Sequence, residues 1–491
     1  MEIRKTTLFL ETCFGETVAQ AQMESAIPLP QGKTLERVLS QEAEVAVREV
    51  SCRDGAVVVT GTMTMKPTVE SAERQPYAFE AAADFTHTIR MDGVTPEMSA
   101  RVGAEIPACS LRREEGGLRM QATVQLRAAV FRSEQVPCIT TLEDARDAEL
   151  RTAPLTIKKR MLLGAHSLHI SETIETPRSV SVLKASAVPM INGLVKGTDG
   201  LLPQGELKLS VLFTEPDGGI LREQYSVPFS DVISCEPGEN ASATATLNTL
   251  TVTIEEEGTA TVDAALSIGV YGSVSDTQRI LTDAYDAAGS FTCRSERVNA
   301  LNYEAAWSQT TQINETVPVP SHMKDAYLPL YAALRPAVTN VSVENGRALI
   351  EGVLAATIVY RDDDGMKQSF TAELPLSFET EAKGTLPVVR VRAFDAQLSG
   401  SGRTVALSVT LSVEAEWYRE IAFDCVPELL PGTPCETDCG MLVWFADPGE
   451  TLFSVGKRFR VPTARVKACN PALADPIPEG TPVLLIRSDC R

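Results

Sequence analysis

Aromatic residues and histidine are scarce in this chain, and it has no long apolar run. Phe, Trp and Tyr make up 5% of the 491 residues, and there are four histidines. The hydrophobic cores must therefore be built mainly from Val, Leu, Ile and Ala. Val and Thr recur in short alternating runs, a pattern that favours β-strands over helices. At about 100–200 residues per domain, the length predicts three to five domains.

Segments that would target the chain to a membrane are also missing. No stretch approaches the roughly 20 apolar residues that span a bilayer, and the run Leu8-Phe9-Leu10 is too short for a secretory signal. The sequence therefore predicts a cytoplasmic protein without membrane insertion. The 11 cysteines are odd in number and scattered. They do not form the pattern of a disulfide framework, so we expect most of them to be reduced.

The charge is strongly of one sign. A formal net charge of −20 repels phosphate backbones and anionic lipids, which excludes nucleic acid as an expected partner. From Met441 onward, seven basic residues stand against five acidic ones. The C-terminal segment is therefore net positive, whereas the rest of the chain is net negative.

Sequence motifs of common enzymes are absent. The chain has no HExxH, GxSxG or Walker motif. His166 and His169 lie three residues apart in an expected strand, which places them on opposite faces and makes them a poor metal site. Asp362–Gly365 begins like a calcium loop but lacks the other ligands, so we predict a hairpin turn there. We expect a non-enzymatic protein without a cofactor; the alternative, a hydrolase, has only the chain length in its favour.

Several cysteines cluster near the C-terminus: Cys425, Cys435, Cys439, Cys469 and Cys490. Only Cys435 and Cys439 have the spacing of a zinc-binding pair. Incidental or redox-labile thiols are therefore a better interpretation than a structural zinc site.

Three segments of the chain resemble one another. They are RDGAVVVTGTMTM (Arg53–Met65), TDGLLPQGELKLSVLF (Thr198–Phe213) and ENGRALIEGVLAATIVY (Glu344–Tyr360). Each begins with an Asp-Gly or Asn-Gly pair, a strong hairpin signal because both residues tolerate positive φ. Each continues to a second glycine, Gly61, Gly205 or Gly352, inside a strand pattern, which predicts a bulge or a close backbone approach.

The similarity extends on both sides of these segments. Upstream, each copy has a Glu-containing stretch ending in proline, and downstream each has a Pro-x-Phe-like element and a second glycine turn leading into long alternating strands. Six features in the same order predict an internal repeat. Turns every 8–12 residues between alternating strands predict a sandwich or an open barrel.

The predicted fold is therefore mainly β: three tandem β-sandwich-like repeat domains followed by a small α+β (βααβ) domain. We place the repeats at 1–140, 172–287 and 315–425, with connectors at 141–171 and 288–314, a Pro-rich linker at 426–440 and the last domain at 441–491. Short helices are predicted near Thr34–Leu39, Leu142–Leu150 and Asp325–Leu334.

The last segment has its own pattern. A strand (Leu442–Phe445) precedes Pro448-Gly449-Glu450-Thr451, which forms a turn and caps a helix. That helix, Leu452–Phe459, has an apolar face and ends at Arg460. A second helix starts at Pro462-Thr463 and stops at Asn470-Pro471, and Pro482–Ile486 forms the last strand.

The residues PGETLFSVGKRFRVPTARVKACNP, followed by IPEGTPVLLI, resemble a LysM domain. Gly456 replaces a common Ala, and Cys469 stands where an aliphatic residue is usual. LysM domains typically bind N-acetylglucosamine-containing glycans through two loops. The corresponding positions are Gly449, Glu450, Thr451, Asn470, Pro471 and Ile477. Turn and cap chemistry alone also explains most of these residues, and the only apparent sugar platforms, Trp444 and Phe453, are equally suited to a core.

The β repeats followed by this tail resemble SipL-type proteins of clostridial spore-coat morphogenesis. The resemblance implies a scaffold on the mother-cell side of the forespore, with the coat-basement ATPase or another coat protein as partner and a tail that docks protein. The alternative function is a peptidoglycan glycan-binding protein, which the expected cytoplasmic location disfavours.

Overall fold

The computed structural model describes residues 2–143, 145, 148–178, 180–236, 238–433 and 440–487. The chain is mainly β, as the sequence predicts. It divides into three β units and a C-terminal tail. The first β unit contains β1 (Glu2–Pro28), β2 (Arg37–Arg53), β3 (Ala56–Glu70), β4 (Pro76–Ala78), β5 (Ala81–Arg90), β6 (Ser99–Glu114) and β7 (Gly117–Glu143).

The other two units follow the same plan. The second β unit contains β8 (Ala148–Glu175), β9 (Ser181–Lys196), β10 (Leu201–Thr214), β11 (Ile220–Ser230), β12 (Glu239–Glu256) and β13 (Thr259–Asp286). After β14 (Phe291–Cys293), the third β unit contains β15 (Glu296–Pro318), β16 (Ala326–Glu344), β17 (Arg347–Asp362), β18 (Lys367–Glu381), β19 (Leu386–Ser399) and β20 (Thr404–Cys425). β21 (Leu429–Pro431) then pairs with β14.

Each unit is built from two antiparallel sheets with the same strand order. The longer sheets are β1-β7-β6, β8-β13-β12 and β15-β20-β19, and the shorter ones are built on β2-β3, β9-β10-β11 and β16-β17-β18. In each unit the first strand pairs with the last. Residues alternate between buried and partly buried along β3, β10 and β17, and their buried faces pack on β7, β13 and β20. This alternation is the period of a half-buried strand.

The second glycine of each repeat lies at a close backbone approach, as predicted. A Cβ on Gly61 would lie 2.5 Å from the carbonyl oxygen of Ala46. At Gly205 and Gly352, a Cβ would meet the carbonyl oxygens of Met190 and Ala337 in the same way. The register of the neighbouring strand shifts at each of these positions, so a bulge and a close approach coincide.

The three predicted short helices are wrong. β2 begins at Arg37, which pairs with Glu70. β16 begins at Ala326, which pairs with Asp362. The described residues of Leu142–Leu150, apart from Ala145, belong to β7 and β8. In each case pairing with a strand distant in sequence satisfies the backbone, which outweighs a weak local helix preference.

The segments predicted as connectors are largely strands. β8 occupies most of 141–171, and β15 occupies most of 288–314. Both pair along their length with the last long strand of their unit, β13 and β20. In the Pro-rich segment, Leu429–Pro431 is strand β21; residues 434–439 lie outside the described residues.

Beyond the three-stranded part of each longer sheet, the first and last long strands of the unit continue as a two-stranded ribbon: β1 with β7, β8 with β13, and β15 with β20. The three ribbons meet at a ribbon junction. We define it by eight buried residues in contact: Leu8, Leu10, Cys138, Leu155, Ile157, Ile280, Ala300 and Cys425. Cys138, Ile280 and Cys425 are equivalent, because each is the twenty-second residue of its strand, counted from Gly117, Thr259 and Thr404. Backbone hydrogen bonds connect the ribbons next to these positions, from Ile139 N to Val426 O (2.9 Å) and from Val426 N to Leu281 O (3.0 Å).

Candidate functional site: the C-terminal tail

The tail, residues 440–487, has the predicted strand–helix–helix–strand order. It contains β22 (Gly440–Phe445), α1 (Leu452–Phe459), α2 (Thr463–Cys469) and β23 (Pro482–Arg487), and β22 pairs with β23. α1 packs its apolar face into a small core that includes Val455, Val466, Val483 and Leu485. The helix ends at Arg460, which has a positive φ of 55° and donates a backbone hydrogen bond to the Gly456 carbonyl.

Glu450 uses its carboxylate inside the tail. Its Oε2 accepts hydrogen bonds from Trp444 Nε1 (2.8 Å) and from the Asp447 N–H (3.0 Å). Its Oε1 forms an ion pair with Arg458 at 3.1 Å, and the side chain is only 11% exposed. The negative charge is thus already neutralised and hydrogen-bonded, so this carboxylate holds the loop after β22 in place.

Gly449 and Thr451 serve the turn and the helix start. Gly449 has φ +78°, which favours glycine. The Thr451 hydroxyl accepts the N–H of Ser454 at 3.1 Å, and the Ser454 hydroxyl accepts the N–H of Thr451 at 2.8 Å. This reciprocal arrangement is a capping box.

The second predicted loop is held in a similar way. The Asn470 amide donates to the carbonyls of Val466 and Leu484 and accepts the Leu484 N–H, which fastens the end of α2 to β23. Ile477 is 2% exposed and donates its N–H to the Glu450 carbonyl at 2.8 Å. Of the six positions implied by the LysM resemblance, Gly449 and Pro471 are exposed.

The two aromatic residues considered as sugar platforms pack elsewhere. Trp444 lies against Phe459, with ring centroids 5.3 Å apart, and carries the Arg458 guanidinium over its ring at 4.7 Å. Phe453 meets Tyr285 of β13 edge-to-face at 5.2 Å. Both rings therefore pack against other side chains of the protein.

Tyr285 is the centre of a contact between the tail and the second β unit. Its hydroxyl donates to the Val461 carbonyl at 2.9 Å, and burial raises its pKa. Lys457 pairs with Asp283, and Glu149 accepts the N–H of Thr463 at 3.1 Å. The tail is therefore fixed to the β units by aromatic, polar and charged contacts.

Gly456 explains one departure from the LysM pattern. A Cβ at this position would collide with the Tyr285 hydroxyl and lie 2.7 Å from the Val461 carbonyl oxygen. The alanine that is usual in LysM sequences would therefore prevent the tail from docking in this way. Sequence reasoning noted Gly456 but could not connect it to Tyr285, because the two residues are far apart in the chain.

β22 exposes apolar side chains, mostly on one face; on the opposite face Leu442 is 46% exposed. Met441, Val443 and Phe445 alternate along the strand and are 71%, 50% and 62% exposed. On β23 they are opposite Ile486, Leu484 and Pro482, which extend the same face. Sequence reasoning identified the strand, but its pattern did not indicate which side would face solvent.

The other predicted chemical features are at separate places. His166 and His169 contact different carboxylates, Asp231 and Asp263, as expected for opposite faces of β8. Asp362–Gly365 is a turn in which the Asp362 carboxylate accepts the N–H of Met366 at 2.8 Å. No group of three metal-ligating side chains occurs in the described part of the chain. Cys435, Cys439 and Cys490 lie outside the described residues.

None of the helices in the described residues is long and apolar enough to cross a membrane.

Comparison with known families gives a match in the first β unit. Residues 34–112 match the family model described as SipL, SPOCS domain. The matched segment begins just before β2 and ends within β6, so it includes the shorter sheet of the first β unit. This match supports the resemblance to SipL-type proteins. No curated protein and no solved structure matches the chain.

Proposed function

We propose that the protein is a non-enzymatic scaffold in spore envelope assembly, and that its tail docks a protein partner. The observation that carries this proposal is the exposed apolar face of β22. Three large side chains in alternation would remove substantial apolar surface from water on binding. Such a face fits a protein surface better than it fits a hydroxyl-rich glycan.

The residues of the alternative glycan site argue in the same direction. The Glu450 carboxylate, the Asn470 amide and the Ile477 side chain are already used within the tail. A sugar would therefore find few side-chain hydrogen-bonding groups in these loops that are not already used. The glycan-binding alternative therefore rests on the LysM resemblance.

The sporulation context comes from the SipL match at residues 34–112. By that resemblance, we propose the coat-basement ATPase or another coat protein as the partner. The same resemblance suggests a location in the mother-cell cytoplasm, at the forespore surface. The three β units would then present further surfaces for multivalent assembly.

Phe445→Glu tests the docking proposal. We expect the purified full chain to bind purified coat-basement ATPase, and the variant to bind about tenfold or more weakly, since a buried unpaired carboxylate opposes association. Phe9→Glu is the matched control, because Phe9 is 59% exposed on β1, outside the tail. Binding should be measured by titration, with circular dichroism to check folding.

A parallel arm uses purified peptidoglycan sacculi. Protein docking predicts that the full chain stays in the supernatant when sacculi are pelleted. Pelleting that chitin oligomers compete away and that Phe445→Glu leaves unchanged would favour the glycan alternative. Equal ATPase affinity for the wild type and Phe445→Glu would remove β22 from the proposed interface.

A further inference from the structure

Cys138 and Cys425 meet at the ribbon junction although they belong to different β units. Cys138 lies in β7 of the first unit, and Cys425 is the last residue of β20 in the third. Both are 0% exposed and belong to the same buried cluster. The hydrogen bond of 2.9 Å from Ile139 N to Val426 O joins the residues that follow them, which places the two backbones side by side.

The two thiols are neighbours. Interaction with the Cys425 thiol and burial raise the pKa of Cys138. The equivalent residue of the second unit, Ile280, is a plain hydrocarbon in the same cluster. Packing at this position therefore does not require sulfur, and two of the three equivalent positions place cysteines in one buried cluster.

Other described cysteines have different surroundings. The Cys109 thiol donates to the Met65 sulfur at 3.6 Å, and the Cys293 thiol donates to the Ala284 carbonyl at 2.8 Å. Burial raises the pKa of each to about 11. These two thiols supply internal controls, because they are also partly buried but face other groups.

We propose that Cys138 and Cys425 are a cross-linking site, at which a disulfide joins the first β unit covalently to the third. A disulfide needs the two Cα atoms about 4.4–6.8 Å apart, so the proposal requires the two backbones to lie that close at Cys138 and Cys425. The link would close the chain from β7 to β20 and hold the ribbons together.

The reaction needs an oxidant, for which a small-molecule disulfide suffices. One cysteine thiolate attacks a sulfur of that disulfide, forms a mixed disulfide and releases one thiolate. The second cysteine loses its proton and attacks the protein-bound sulfur, which forms the Cys138–Cys425 bond and releases the second thiolate. The two protein thiols lose two electrons and two protons, and the small disulfide becomes two thiols.

Burial determines when this reaction can occur. With both sulfurs at 0% exposure, the closed junction shields them from an oxidant, and their reaction is slow. The bond should form rapidly during folding under oxidising conditions or when the ribbons open. Once formed, it should resist reduction for the same reason.

The test compares the native full chain with the chain refolded in oxidised glutathione. Free thiols are then blocked with N-ethylmaleimide, and the digest is searched by mass spectrometry. We expect a Cys138–Cys425 cross-linked peptide in the refolded sample, with faster migration on a non-reducing gel. The native chain, incubated with the same oxidised glutathione without unfolding, should form this cross-link more slowly. Cys138→Val and Cys425→Val, which resemble the hydrocarbon in the second unit, should each abolish the faster species, and Cys109→Ser should retain it.

The direct mass-spectrometric readout on the wild type does not depend on whether a variant folds. Finding both Cys138 and Cys425 carrying maleimide after oxidative refolding, while other cysteines are oxidised, would overturn the proposal. So would cross-links of Cys138 to several other cysteines in similar yield.

Discussion

Gly61 shows how one missing methyl group shapes a β unit. The bulge in β2 brings the Ala46 carbonyl over Gly61, and the Phe85 ring covers the same place at 2.7 Å from where a Cβ would stand. One neighbour is backbone, which cannot rotate away as a flexible side chain can. The equivalent glycines in the other units have carbonyl neighbours too.

We predict that Gly61→Ala destabilises the protein by about 1–3 kcal/mol, because the extra carbon forces a backbone shift in a packed interior. The matched control is Gly103→Ala in β6, where a Cβ would meet nothing within 4 Å. That change should be neutral or stabilising by up to about 1 kcal/mol, since it reduces the freedom of the unfolded chain. Urea unfolding measures both. Equal effects would show that the close approach at Gly61 is absent.

At this scale, sequence reasoning worked where the signal was local. The glycines that follow the hairpin turns could be identified because glycine inside a strand pattern has few other uses. The role of Glu450 could not be identified. Its neighbours Trp444 and Arg458 become partners only after β22 and α1 fold together.

The first helix of the tail is an element whose docking overrides its intrinsic preference. Alanine at position 456 would favour an isolated helix by about 1 kcal/mol over glycine. In the folded chain, however, that side of α1 faces the Tyr285 hydroxyl and the Val461 carbonyl. Local preference and docking therefore predict opposite signs for the same substitution.

We predict that Gly456→Ala releases the tail from the second β unit. Hydrogen exchange should become faster at the backbone of residues 461–466, which includes the Thr463 N–H now held by Glu149. Gly440→Ala is the control in the same tail, because a Cβ there meets nothing within 4 Å. Unchanged exchange in Gly456→Ala would mean that α1 is not pressed against Tyr285.

Helices and strands were predicted correctly where the residues that determine them lie close together in the sequence. α1 and α2 were predicted with nearly their observed ends because Thr451 and Asn470-Pro471 are start and stop signals within a few residues. The helix expected at Asp325–Leu334 was wrong because the pairing of β16 with β17 comes from a segment further along the chain. No local signal distinguishes such a strand from a short helix.

On the scale of the whole molecule, the three β units are packed together. The Ser40 hydroxyl of the first unit and the Tyr331 hydroxyl of the third are hydrogen-bonded at 2.8 Å in a buried place. Lys184 of the second unit pairs with Glu42 of the first. The sequence predicted three repeats separated by connectors. It did not predict that the units pack together, because contacts between units leave no periodic pattern in any one segment.

A buried ion pair joins the first and third units. Lys367 and Glu70 lie 2.8 Å apart, and their side chains are 8% and 3% exposed. Lys367 also donates to the Arg74 carbonyl at 3.3 Å. Desolvation makes the net contribution of such a pair small, but loss of one partner leaves the other charge buried alone.

We predict that Lys367→Met destabilises the protein by about 3–5 kcal/mol, because Glu70 then remains as an uncompensated buried carboxylate. Lys367→Met combined with Glu70→Leu should recover most of that loss, since apolar side chains of similar size can replace a buried pair. Lys383→Met is the control, because Lys383 and Glu381 form an exposed pair, 43% and 75% accessible, of negligible expected effect. Urea unfolding monitored by circular dichroism measures all three. If Lys367→Met and Lys383→Met reduce stability equally little, the first and third units do not bury this pair between them. If Lys367→Met alone also splits the single unfolding transition into two, the interface is what makes the β units unfold together.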